Sequence, residues 1–272
     1  MNDRVRVEIT DGVADVRLIR ADKMNALDDA MFVALIETGE RLKADKAVRC
    51  VVISGEGRAF CAGLDAGNFG KMAEGGDRYA PRKERPPEIA GQREFGVANR
   101  AQYAVWVWRE VPAPVIAAVH GVAFGGGFQL MLGADMRYVA PDTKLSIMEI
   151  KWGLIPDMAG TQLMRHLVRE DIVRELSYTG RIFSGTEAGQ IGFATRVCDD
   201  PHAEALAVAR EIAGKSPDAI RAGKRIFNDA PYSDPANGFL QETVEQVALI
   251  GSPNQIEAVM SNLQKRAPNF AD

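Results

Sequence analysis

Three consecutive glycines, Gly125-Gly126-Gly127, stand between an apolar run of strand character and a run of helical character. Pro114-Val115-Ile116-Ala117-Ala118-Val119 leads into them, and Phe128-Gln129-Leu130-Met131-Leu132-Gly133-Ala134 leads away. With no Cβ atoms where the helix opens, a ligand can touch bare backbone N–H groups. Such a turn suits a phosphate or a developing enolate oxygen, and the rest of the chain has to separate the two.

A second loop matches the first in kind. Val48-Arg49-Cys50-Val51-Val52-Ile53 reads as a nearly continuous apolar strand covered on both faces. It ends in Gly55-Glu56-Gly57-Arg58-Ala59-Phe60-Cys61-Ala62-Gly63-Leu64-Asp65. One backbone N–H from each loop can bind a single oxygen, and one such donor is worth about 3 kcal/mol of transition-state stabilisation. The plainer alternative, that both glycine clusters are only tight turns, stands beside this. No GxGxxG follows the first strand, and neither GxxxxGK[ST] nor GxSxG occurs. Nucleotide phosphate capture and serine catalysis lose ground, and an enolate or thioester oxyanion remains.

Such a site needs an acid or base. Glu149 stands between Met148 and Ile150, beside Trp152, a setting expected to desolvate its carboxyl and raise its pKa. A surface glutamate at a strand end is the alternative. Asp157 follows Pro156 and can either cap the next helix or take part in catalysis. Gln129 lies about one turn beyond Gly126, where it can hold a water or a carbonyl but cannot titrate. Cys61, among small apolar neighbours, reads as a buried structural thiol.

Val5, Val7 and Ile9 alternate with charged residues, and Asp11-Gly12 turns the chain toward a hairpin partner from Val13 to Ile19. Arg20 to Leu27 is a loop, and Asp28 caps a helix carrying Met31, Leu35, Ile36 and Leu42. Gly67 to Gly91 reads as a long mobile segment. Helical spacing resumes from Phe95 to Arg109, with Val97, Ala101, Ala104, Val105 and Trp108 on one face. Short strands are expected at 136–139, 144–148 and 194–197, a loop at 149–157, and a helix at 161–168. The remainder is helical. The chain is therefore α/β, with a core domain over 1–200 and a helical C-terminal region over 201–272.

A net charge of −4 with interspersed signs gives no nucleic-acid footprint. No stretch approaches a membrane span, and Met1-Asn2-Asp3-Arg4 has no apolar signal core. Cys50, Cys61 and Cys198 form no CxxC, and His120, His166 and His202 are scattered, so no metal site is expected. Three unpaired cysteines suit a reducing compartment, and the expected location is cytoplasmic.

Together, Arg20–Leu27, Gly57–Asp65, Pro114–Gln129 and Glu149–Gln162 resemble the crotonase superfamily, the enoyl-CoA hydratase/isomerase family. The resemblance runs from about Val5 to Phe270. It implies a spiral of ββα units and a helical C-terminal region that trimerises, giving a homotrimer or a dimer of trimers (a hexamer). It also implies acyl-CoA thioester substrates, an enolate intermediate, and lyase or isomerase activity in fatty-acid or related acyl-CoA metabolism. Coenzyme A is then part of the substrate and no separate cofactor is needed.

Carried over by position, the family's oxyanion donors fall on the backbone N–H groups of Leu64 and Gly126. Coenzyme A contacts fall on Lys23, Met24, Ala62, Gly63 and Asp65, with Lys265 near the nucleotide phosphates and Phe270 in the closing segment. Hydratases of the family carry one glutamate at the position of Gln129 and a second at Glu149, and only the second is present. Dienoyl-CoA isomerases resemble this chain in a Glu at 149 and an Asp at 157, yet carry an Asp where Gln129 stands. Two readings follow: an enoyl-CoA hydratase/isomerase-type enzyme, or isomerase-type proton shuttling between Glu149 and Asp157. A third, from another class, is an acyl-CoA binding protein without turnover.

Overall fold

The strand Cys50–Gly55 is buried along its whole length because sheet neighbours and layers of helices enclose it on every side. In the computed structural model, which describes residues 3–73 and 95–272, it is β3 of a six-stranded sheet. That sheet has the order β1-β2-β3-β4-β6-β9, with β1 Val5–Thr10, β2 Val13–Leu18, β4 Val115–Val119, β6 Met136–Val139 and β9 Arg196–Val197. β1 and β2 form the antiparallel hairpin that Asp11-Gly12 predicts, and the other pairings are parallel. A second sheet joins β5 Val122–Phe124, β7 Lys144–Ser146 and β8 Phe183–Ser184.

Helices close both faces of the large sheet. Asp28 caps α1, Asp29–Ala44, by accepting from the N–H of Met31 at 2.8 Å, as its position predicts. α2 is Ala66–Ala73. α3, Arg100–Glu110, starts five residues later than the apolar spacing suggests, because Asn99 and Gln102 form a reciprocal capping box there. Phe95 and Ala98 instead exchange backbone hydrogen bonds in a tight turn, which leaves Val97 71% exposed. Met31, Leu35, Trp108 and Phe128 belong to the main core on this side. On the opposite face, Ala205, Ala209 and Ala213 of the helix Pro201–Ala213 pack on Val52, Ile116 and Tyr138.

Ala66–Ala73 takes the first part of the stretch expected to be mobile, and residues 74–94 lie outside the described residues. Three other expectations change. Val122–Phe124, inside the presumed turn, is a strand, because it pairs with β7 on one side while Cys61 bridges Ala123 on the other. Glu149–Trp152 is a single turn of 3₁₀ helix rather than loop. The helix expected over 161–168 is shorter, Gly160–Met164.

The last helices are Pro217–Asp229, Pro235–Leu249 and Pro253–Gln264, each opened by proline at its first position. Pro235–Leu249 buries none of its residues within one chain. No helix among the described residues is long and apolar enough to cross a membrane.

Candidate active site

The two glycine loops meet. A Cβ added to Gly127 would lie 2.2 Å from the carbonyl oxygen of Cys61, so only glycine lets the helix α4, Gly126–Leu132, approach the Cys61–Asp65 loop this closely. Gly63 sits at φ +88°, and a Cβ there would lie 2.5 Å from the Phe124 oxygen and 3.6 Å from the Gly126 nitrogen. Leu27 donates to Gly63 O at 2.8 Å, and Asp65 donates to Leu27 O at 3.0 Å. That ladder turns the N–H of Leu64 away from Leu27. Gly126 opens α4, and its N–H has no carbonyl one turn back to bond. Two backbone donors that make no hydrogen bond among the described residues therefore stand on facing loops.

Beside them is Glu149, 9% exposed. Its carboxyl oxygens lie 3.4 and 3.9 Å from where a Gly125 Cβ would be. Burial pushes its pKa above the usual carboxylate range; the hydrogen bond from Gln129 pulls the other way, and the nearby Asp157 pushes up again. The cause of the burial differs from expectation. Ile150 and Trp152 are 45% and 50% exposed, and Glu149 is enclosed by the glycine turn and α4 rather than by its sequence neighbours. Its Oε2 is buried and has no hydrogen-bond partner among the described residues.

Gln129 is 1% exposed and committed at both ends. Its Oε1 accepts the N–H groups of Met158 at 2.8 Å and Gly160 at 3.0 Å, and its Nε2 donates to Glu149 Oε1 at 2.5 Å. Only the amide oxygen can accept two N–H groups, which settles the amide's orientation. Within the chain, Gln129 thus clamps the Asp157–Gly160 turn to the Glu149 carboxyl, where the expectation has it positioning a water or a substrate.

Asp157 does not cap the next helix, whose N-cap is Ala159 in a left-handed conformation with no side-chain bond. The Asp157 side chain remains accessible to solvent at the edge of the site, while the protein atoms around it shift its carboxyl upward. Cys61 donates its thiol to Asn25 O at 3.1 Å, and burial pushes its pKa up to about 12, so it is an inert structural group.

The residues carried over as coenzyme A contacts divide. Lys23 is exposed on a one-turn helix, and Met24, at φ +50°, accepts through its carbonyl from Ala62 N–H at 2.9 Å. Lys23, Met24, Ala62 and Gly63 thus share one rim. Asp65 lies there too, but its carboxylate is held by Arg20 at 2.6 Å and by Gly67 N–H at 2.8 Å. Phe270 is elsewhere. Its carbonyl accepts from Arg49 at 2.9 Å, just before β3 starts, whereas Lys23 lies beyond the far end of β2. Six residues of strand, roughly 20 Å, separate those levels. Lys265 caps the last helix at φ +53° and is exposed. Within one chain, Phe270 therefore does not join the Lys23 rim, because Arg49 and Asn254 tie the tail to the opposite end of the sheet.

The sequence reading missed Arg20 and Asn25. Asn25 Nδ2 donates to Glu56 O and Ala59 O, shaping the loop that presents Leu64. Asn25 follows the one-turn helix Ala21–Lys23 at φ +55°, and an asparagine, which tolerates the left-handed region, was the local signal that could have marked it.

A family model described as "Enoyl-CoA hydratase/isomerase" matches residues 8–272. The chain belongs to this family. The human "Enoyl-CoA hydratase domain-containing protein 2, mitochondrial" is 30% identical over 95% of this chain and 85% of its own length. "Delta(3,5)-Delta(2,4)-dienoyl-CoA isomerase, mitochondrial" of Dictyostelium discoideum is 27% identical over 98% and 90%. The crystal structure of an enoyl-CoA hydratase from Mycobacterium smegmatis superposes with a TM-score of 0.82 at 27% identity, covering 98% of each chain. The crotonase fold expected for this enoyl-CoA hydratase/isomerase family member is thus the one present.

The cytoplasmic expectation is overturned. Both curated relatives carry a mitochondrial designation in their names. Unpaired cysteines report a reducing environment and not a particular compartment, so they could not have made that distinction.

Proposed function

We propose that this protein acts on enoyl-CoA thioesters by moving a proton through an enolate held between two loops. In this reading, the N–H groups of Leu64 and Gly126 bind the thioester oxygen. The negative charge that develops there on deprotonation is stabilised by donors already in place. Glu149 Oε2 takes or returns the proton at the α or γ carbon. The observation that carries the proposal is this oxygen, buried and unpartnered while Gln129 occupies its twin. The rim of Lys23, Met24, Ala62 and Gly63 receives the coenzyme A portion, which enters as part of the substrate, and the proposed steps use no separate cofactor.

Isomerisation is a second reading, favoured by Asp157. Its carboxyl is shifted upward, caps no helix, and lies close enough to Glu149 to raise that group's pKa. Proton removal by Glu149 and return from Asp157 at a more distant carbon would shift a double bond with no water consumed. Hydration instead needs a water activated by Glu149 alone, since the Gln129 amide is fully engaged by the protein.

Following conjugated-thioester absorbance with 2-enoyl-CoA, 3-enoyl-CoA and 3,5-dienoyl-CoA esters separates these readings. Turnover of the last two with a slow or absent first supports isomerisation. Tight binding with no turnover of any ester would sink the catalytic proposal.

We also propose that the chain assembles as a homotrimer or a dimer of trimers. Phe239, Leu240, Val244 and Val247 form an apolar face on a helix that buries nothing in its own chain, and each is at least 60% exposed. Ile256, Val259, Met260 and Leu263 repeat the helical spacing on the last helix. Apolar faces of this extent are expected to be covered by further copies.

A further inference from the structure

α4 and the helix Gly160–Met164 both begin at the proposed catalytic site, and both point their C-terminal ends at a separate cavity of about 530 Å³. Its walls are mostly apolar, including Leu132, Leu163, Ile220 and Phe227. Its charged lining is mainly cationic: Arg109, Arg137 and Lys224 face it against the single carboxylate of Asp135, with His166 and Asn228 as the other polar side chains.

Lys224 is fully used: its ammonium pairs with Asp135 at 2.8 Å and donates to the carbonyls of Ala113 at 2.9 Å and Trp108 at 3.2 Å. Asp135 is used as well, also accepting the N–H of Val115 at 2.7 Å. Arg137 is not. It is 5% exposed, and it donates through Nε to Phe193 O at 2.7 Å and through Nη1 to Ala134 O at 2.9 Å. Its Nη2 makes no hydrogen bond among the described residues, and it ion-pairs with no described carboxylate. Burial lowers its pKa to about 10, with Asp135 opposing and Arg109 adding to the shift. Arg109 likewise forms no ion pair among the described residues, and its charge bears on both Arg137 and Lys224. Structural capping of carbonyls explains two of Arg137's nitrogens and leaves the third without a role. Nη2 is not among the orphaned atoms shut off from solvent, so it is reached from the cavity and stands open to an anion that would gain a charge-assisted hydrogen bond.

We propose that this cavity is a second ligand site, separate from the thioester site, that takes a carboxylate carrying a medium-length apolar chain. The carboxylate meets Nη2 of Arg137 and the guanidinium of Arg109, and the chain lies along Leu132, Ile220 and Phe227. A monoanion suits the site better than a phosphate, because Asp135 stands beside the cations and the remaining walls offer hydrocarbon.

Isothermal titration of the full-length protein with octanoate, octanol and inorganic phosphate tests this. Octanoate should bind saturably, with octanol and phosphate at least about tenfold weaker, the cost of losing a charge-assisted hydrogen bond or the apolar contact. Gly223 lines the cavity, and a Cβ there meets nothing closer than Phe227 at 3.9 Å. Gly223→Leu should therefore fold, melt no lower than the parent, and lose octanoate binding. Arg109→Gln, which removes a guanidinium that makes no hydrogen bond among the described residues and lies 5.5 Å from the Trp106 ring centroid, should weaken octanoate about tenfold. Both positions lie away from Glu149, so binding confined to the acyl site would survive both changes. Unchanged octanoate affinity in either folded variant, equal binding of octanol, or phosphate binding in preference to octanoate overturns the proposal.

Discussion

Gln129 and Glu149 are joined side chain to side chain, with the amide Nε2 2.5 Å from the carboxyl Oε1 and both groups buried. The bond divides the carboxyl into two unlike oxygens, one held and one free. It also ties the proposed base to the turn at Met158 and Gly160 through the other end of the same amide.

Replacing Gln129 by Glu keeps an acceptor for the two N–H groups and puts a second carboxyl against Glu149. Like charges at this distance disfavour ionisation. The acidic limb of the kcat/KM profile should move up by about one pH unit or more. A profile that stays in place would show that Gln129 does not govern the base. Gln129→Ala is different: it strands two buried N–H donors, at about 1–3 kcal/mol each, and should lower the melting temperature markedly.

Glu149→Gln should reduce turnover by roughly 10²- to 10⁴-fold while leaving the circular dichroism spectrum unchanged. Stability should follow pH with a definite sign. The folded pKa of Glu149 is raised, so ionising it disfavours the native state. The wild type carries no such penalty below the unfolded carboxylate pKa, and carries it in full above the raised folded value. Glu149→Gln should therefore gain more in melting temperature, relative to wild type, at pH 8 than at pH 4. An equal difference at both would count against the desolvated carboxyl.

Asp157→Asn separates the two reactions. If Asp157 returns the proton, conversion of 3,5-dienoyl-CoA should fall about 100-fold while α-proton exchange in deuterated water, catalysed by Glu149, persists. Equal loss of both activities would place Asp157 in a positioning role. With Asp157 as the acid, activity should also decline as pH rises through its upward-shifted pKa.

The glycines should differ among themselves. Gly127→Ala drives a Cβ to 2.2 Å from a backbone oxygen and should cost about 2 kcal/mol or more. Gly126→Ala meets only the flexible ends of Leu27 and Met158, each at 2.8 Å, and should cost less. Urea titration of the two variants gives the order directly.

Leu240→Glu with Val244→Glu should reduce the particle mass in solution, read by light scattering, without unfolding the core. Neither side chain is buried in its own chain. An unchanged assembly would move the interface elsewhere.

Much of this protein is written locally. The Asp11-Gly12 hairpin, the Asp28 cap, the unbroken apolar run of β3 and the triple glycine depend on neighbours a few residues away, so the sequence by itself determined them. The capping box at Asn99 was equally local, and weighting it above the apolar spacing would have placed the start of α3 correctly. Glu149 could be chosen from the sequence, although its burial comes from a segment twenty residues away. Only the tertiary structure decided what Gln129 does, because its partners, Met158, Gly160 and Glu149, reach it through long-range packing. The same holds for the tail. Arg49 and Asn254 draw Phe270 to the far end of the sheet through ion pairs and hydrogen bonds that no periodicity encodes. Local pattern determined which backbone groups and acids were available, and packing between distant segments decided which of their atoms are bonded within the described residues and which are not.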